Sequence, residues 1–137
     1  KKDRLIQTTE TKLIVVTRED LTPGYQSQQS THSVAQYAIA YPQNLQEWDG
    51  SSGSIICLAI KSEQDLLKLH KKLSLNNIDV VIFNEPDLDN QFTSLCYYAN
   101  YESRKLVSHL PLLGKKINNT FSNSIESVNG VAISINQ

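Results

Sequence analysis

Two polar segments carry most of the side chains that could do chemistry. The first runs Arg18-Glu-Asp-Leu-Thr-Pro-Gly-Tyr-Gln-Ser-Gln-Gln-Ser-Thr-His32; the second is Asn84-Glu85-Pro86-Asp87-Leu88-Asp89-Asn90, leading to Thr93. The first ends where Ser30 or Thr31 can cap a helix, whose free N–H groups could hold an anion. The second offers a carboxylate, Glu85, and a hydroxyl, Thr93, at the ends of apolar runs. Each has a plainer reading beside it: His32 as a locally packed ring, Gln28 and Gln29 as solvated turn residues, Glu85 as a strand-end charge and Thr93 as a β-former. Asp87 and Asp89 imitate a calcium loop only superficially, because the required glycine and final glutamate positions hold Phe92 and Tyr98. No Gly-rich phosphate loop and no Ser-His-Asp pattern occurs.

The elements that must position these groups follow from the apolar pattern. Lys12 to Arg18 is a short β-branched run, the mark of a central strand buried on both faces, and Thr22-Pro23-Gly24 reads as the turn that ends it. Val34, Ala38 and Tyr41 recur at helical spacing up to Pro42. Gln43 to Gly53 reads as a loop around Trp48. Ser54 to Ile60 is a second buried strand. Ser62, with Asp65 three residues on, opens a helix that puts Leu66, Leu69 and Leu73 on one face. Asn76-Asn77 stops it; Asp79 to Phe83 and Thr93 to Tyr98 are two more strands, close enough to pair antiparallel. A last helix spans roughly Ser103 to Leu110. The sum is an α/β domain in three layers around a mixed four-stranded sheet, in the order β-α-β-α-β-β-α. The domain covers 12–113, between an N-terminal extension at 1–11 and an Asn/Ser-rich tail at 114–137 whose Val131 to Ile135 run could add an edge strand.

The chain has 137 residues, with 13 Lys and Arg against 14 Asp and Glu, so bulk positive charge does not drive any nucleic-acid binding. A local patch would have to do it: Lys61, Lys68, Lys71, Lys72, Arg104 and Lys105 could converge in space, although the helix lysines also read as a solvated face. No apolar stretch is long enough to span a membrane. Cys57 and Cys96 sit inside strand-like runs and read as reduced, buried thiols of a cytoplasmic protein.

In pattern, Lys12 to Leu113 resembles the type-II peptidyl-tRNA hydrolases. The motifs that carry the likeness are Arg18-Glu19-Asp20-Leu21 after the first strand, Gln29-Ser30-Thr31-His32, the acidic Glu85, and Thr93-Ser94-Leu95. The resemblance implies hydrolysis of the ester joining a peptidyl or N-blocked aminoacyl group to tRNA, with no metal or organic cofactor. Glu85 would position or deprotonate a water, and Thr93 with Gln29 would orient the ester. Arg18, Asp20, Tyr25, Thr31 and His32 would contact the substrate, with the helix N-terminus near Thr31 facing a phosphate or oxyanion. The family's catalytic lysine lies four residues before the Gln, where this sequence has Tyr25, and Glu85 stands where Asp is usual. The alternative is therefore a non-catalytic relative that binds tRNA, a nucleotide or a protein partner. Either reading is compatible with a homodimer built through an edge strand or the tail.

Overall fold

The computed structural model describes residues 10–115. The first nine residues of the expected extension, and the tail from residue 116 with its 131–135 run, lie outside the described residues.

The elements are β1 (Lys12–Arg18), α1 (Pro23–Ala40), α2 (Pro42–Gly50), β2 (Ile55–Ile60), α3 (Glu63–Leu75), β3 (Val80–Glu85), β4 (Gln91–Ala99) and the short α4 (Tyr101–Arg104). One-turn 3-10 helices follow β3 at Pro86–Leu88 and α4 at Lys105–Val107. The strands form one mixed sheet in the order β2-β1-β4-β3, parallel between β1 and β2 and antiparallel elsewhere. The β-branched run of β1 is central, as expected of a strand whose residues 13–18 are all buried. The two nearby strands β3 and β4 pair antiparallel. α1 covers one face of the sheet and α3 the other, so the two central strands, β1 and β4, are largely shielded from water on both faces.

On the α3 face, Leu66, Leu69 and Leu73 pack against Ile14, Val16, Leu95 and Tyr97 in one apolar cluster. Ser62 caps α3 as its sequence demands, accepting the Asp65 N–H at 3.2 Å. Asn77, at φ 60, ends the helix in the left-handed conformation that asparagine tolerates.

Three expectations need correction. Thr22-Pro23-Gly24 starts α1 instead of forming a turn: Thr22 is the N-cap, Pro23 opens the first turn, and the Thr22 carbonyl accepts the Gln26 N–H at 2.8 Å. The segment around Trp48 is a helix, opened by Pro42, with no fully buried residue to give it an apolar signature. The final helix is one α-turn plus a 3-10 turn, anchored by a reciprocal Asn100–Ser103 capping box.

Cys57 and Cys96 are both free, and both stand in register with Val15 on the strand between them. Two strand spacings of roughly 4.8 Å each put them beyond disulfide reach.

Candidate functional site

The face that α1 turns to the sheet is polar along half its length. Gln26, Gln29, Ser33 and Tyr37 are its buried residues, spaced at three and four positions as helix geometry requires. A buried amide or hydroxyl must find partners or cost stability. Gln26 donates from Nε2 to the carbonyls of Glu19 and Leu21, at 3.1 and 2.6 Å, and so holds the turn between β1 and α1. Ser30 gives its one hydroxyl hydrogen to the Gln26 carbonyl at 2.7 Å; the 2.6 Å contact between Thr17 and Ser30 is then a donation by Thr17.

Gln29 is the centre of the site. Its Nε2 donates to Glu85 Oε1 at 2.7 Å, its Oε1 accepts from Thr93 Oγ1 at 2.5 Å, and its backbone carbonyl accepts from Ser94 Oγ at 2.7 Å. The amide can sit only this way round, because a carboxylate needs a donor and a hydroxyl hydrogen needs an acceptor. Gln29 and Thr93 are wholly buried. Glu85 also accepts the Asp87 N–H on Oε2 at 3.2 Å. The Gln29 amide, then the Asp87 N–H, and to a smaller degree nearby His32 hold the Glu85 carboxyl below the usual glutamate range against a lesser opposing effect of burial.

Thr93 reaches Gln29 because of a β-bulge. Phe83 pairs with Ser94 but Asn84 pairs with Phe92, which leaves Thr93 as the extra residue of β4. Strict alternation would send Thr93 and Ser94 to opposite faces; with the bulge, both meet Gln29.

The expected site residues thus fall into three groups. Gln29, Glu85 and Thr93 form one hydrogen-bonded chain, with His32 beside it. The His32 ring stacks on Phe83, centroids 4.5 Å apart and planes 9° off parallel, and lines a cleft of about 590 Å³ together with Gln36, Asn84, Glu85 and Asp87. Arg18 and Asp20 form a second group. Arg18 binds Asp20 through Nε and Nη2, both at 2.9 Å, and spends Nη1 on Gln91 Oε1 and the Phe92 carbonyl. Four of its five N–H groups are engaged, so it ties the end of β1 to the start of β4. The shared hydrogen bond raises the Arg18 pKa and lowers that of Asp20.

Tyr25 and Thr31 are the third group. Tyr25 lies in the first turn of α1, partly exposed and outside the Glu85 cleft. Thr31 is exposed in mid-helix, its hydroxyl donating to the Ser27 carbonyl at 2.9 Å. The expected helix N-terminus at Thr31 does not exist, since α1 starts eight residues earlier and the N–H groups there are spent inside the helix.

Among the described residues, the basic side chains do not gather at Glu85. Lys61, Lys68 and Lys72 line a groove of about 450 Å³ with Glu19, Asp65 and His109, beside α3. Lys12, Arg104 and Lys105 line another of about 380 Å³ with Glu10 and Tyr101. Among the described residues, no group of His, Cys, Asp and Glu is placed to hold a metal ion, and no helix is long and apolar enough to cross a membrane.

Sequence reasoning missed Ser94, Thr17, Gln36 and Gln91. A signal for part of this was present: Gln26, Gln29, Ser33 and Tyr37 keep helical spacing, and a polar stripe with the period of a buried face marks a buried network.

No protein-family model and no curated protein matches the chain. Solved structures share its fold. One is a protein of unknown function from Agrobacterium tumefaciens strain C58, with a TM-score of 0.59 and 14% identity, over 75% of this chain and 97% of that one.

Proposed function

We propose that the Glu85 cleft binds a ligand bearing positive charge or hydrogen-bond donors, in a protein that has the layout of the type-II peptidyl-tRNA hydrolases without their reaction. One observation carries this reading: Glu85 and Asp87 line the cleft, and among the described residues no lysine or arginine lines it with them. Hydrolysis of a tRNA ester builds negative charge at the carbonyl oxygen, and losing one group that stabilises such charge costs about 3 kcal/mol in the barrier. The phosphates of a tRNA would also meet carboxylates here instead of the cations they need. Each oxygen of Glu85 accepts one protein hydrogen bond and keeps capacity for another. The stacked His32 and Phe83 rings supply a flat wall beside it. A polypeptide or amine-bearing partner satisfies these features better than a nucleotide. The two free thiols fit a reducing, cytoplasmic setting.

The second reading, ester hydrolysis, is favoured by the unbroken Thr93–Gln29–Glu85 chain. Glu85 would accept a proton from water while Thr93 and Gln29 hold the ester. Release of N-acetylated amino acid from N-acetylaminoacyl-tRNA separates the two. The expected result is the spontaneous rate for the native chain, Glu85→Ala and Thr93→Ala alike. Faster release that both substitutions abolish would overturn the proposal and establish hydrolysis.

A further inference from the structure

The two edges of the sheet are treated differently. At β2, the segment after the last 3-10 turn runs alongside: Ala59 N–H donates to the Pro111 carbonyl and Leu113 N–H to the Cys57 carbonyl, both at 2.9 Å. At β3, no described strand lies beyond. Every second N–H and C=O of an edge strand points outward, unpaired. Val80, Val81, Ile82 and Phe83 are four consecutive apolar residues that stay only half-buried there. The Glu85 cleft runs along this same edge, with Val81, Ile82 and Phe83 in its wall.

We infer that β3 is a docking edge at which an extended segment of a partner protein adds as a fifth strand, its apolar side chains on β3 and a lysine or arginine at Glu85. This deepens the binding reading of the Glu85 cleft and rests on it. Backbone pairing would supply affinity, and the acidic end of the strand would supply orientation. Charge also says what does not dock. Asp79 precedes β3, and Glu85 and Asp87 close it. A second copy paired antiparallel along β3 would bring Asp79 towards the other copy's acidic end, setting like charges together twice. A segment with basic residues meets the complementary charge instead.

The test uses a fluorescent peptide of about eight residues, alternating valine and threonine with lysine at both ends, long enough to cover one strand. One control carries N-methyl groups on alternate amides, and another has glutamate for lysine. Anisotropy should report binding of the first peptide, and roughly tenfold or greater weakening for each control and for Glu85→Gln. Amide exchange should slow at residues 80–85 on binding. Equal binding of the N-methylated peptide, or no binding, would overturn strand addition. So would exchange protection at residues 80–85 that rises with protein concentration alone, because it would mean that copies of the chain pair there. Butylammonium, the lysine head without a backbone, separates charge binding in the cleft from strand addition. If it shifts NMR signals of Gln29 and His32 while no peptide binds, strand addition fails and the cleft reading stands. If neither binds, both fail.

Discussion

Two helices cover the two faces of one sheet, and they do so by opposite means. α3 presses Leu66, Leu69 and Leu73 into an apolar cluster. α1 presents Gln26, Gln29 and Ser33 and gives each side chain at least one hydrogen-bond partner. Apolar burial is non-directional, so the α3 face can accept another residue of similar volume at modest cost. The α1 face cannot: moving a donor by an ångström leaves two groups unsatisfied. A protein that needed only stability would gain little from a buried Gln–Glu–Thr chain, and its presence next to an open cleft supports the proposed binding role of the α1 face.

Breaking the apolar side should have the larger effect on stability. Leu73→Ala removes a wholly buried side chain and is expected to cost about 2–5 kcal/mol, read as a lower denaturant midpoint, while ligand binding at Glu85 persists in the folded fraction. Breaking the polar side should cost less and do more to the site. Gln29→Leu leaves the buried Thr93 hydroxyl with only the Phe83 carbonyl, 3.5 Å away, as acceptor, a loss of about 1–3 kcal/mol, and removes the donor that holds the Glu85 carboxylate.

That second change has a pH signature. The folded-state pKa of Glu85 lies below its ordinary value of 4.5. Its stabilising contribution is therefore complete above that value and lost as pH falls through the lower folded value. Acid denaturation followed by circular dichroism should begin at higher pH when stability is already lowered by Gln29→Leu. In a comparison corrected for that loss, the part of the acid limb due to Glu85 should be smaller in Gln29→Leu, and absent in Glu85→Gln. An unchanged limb in both variants would mean that the carboxylate is not held as its geometry implies. The smallest effect belongs to Thr31→Ala, on the outer side of the same helix, which should change stability by no more than about 0.5 kcal/mol and leave binding intact.

Much of the architecture was legible because its signals were local. The apolar runs of β1 and β2, the Ser62 cap and the leucine spacing of α3 each state one element in a few consecutive residues. The start of α1 was not, because Thr-Pro-Gly serves equally as a turn and as a cap followed by proline in the first helical turn. Apolar periodicity also begins only at Val34, whereas the first turns of the helix bury amides. α2 was missed because none of its residues is fully buried. At the site, Gln29, Glu85 and Thr93 were each singled out, but what joins Thr93 to the others is a register shift between β3 and β4. Register depends on which residue of another strand stands opposite, which no local pattern encodes. The division of the lysines between two grooves is likewise a property of how α3 and α4 sit on the sheet.

The bulge at Thr93 also makes this a convenient chain to engineer. The flanking residues already alternate correctly across the gap, since Ser94 faces Phe83 and Phe92 faces Asn84. Deleting the single codon for residue 93 would close the ladder and leave β4 as a straight strand. The product would keep every charged side chain of the original while lacking the hydroxyl that holds Gln29 in place. Such a blank, one residue shorter than its parent, would report background in a screen for ligands of the proposed Glu85 site.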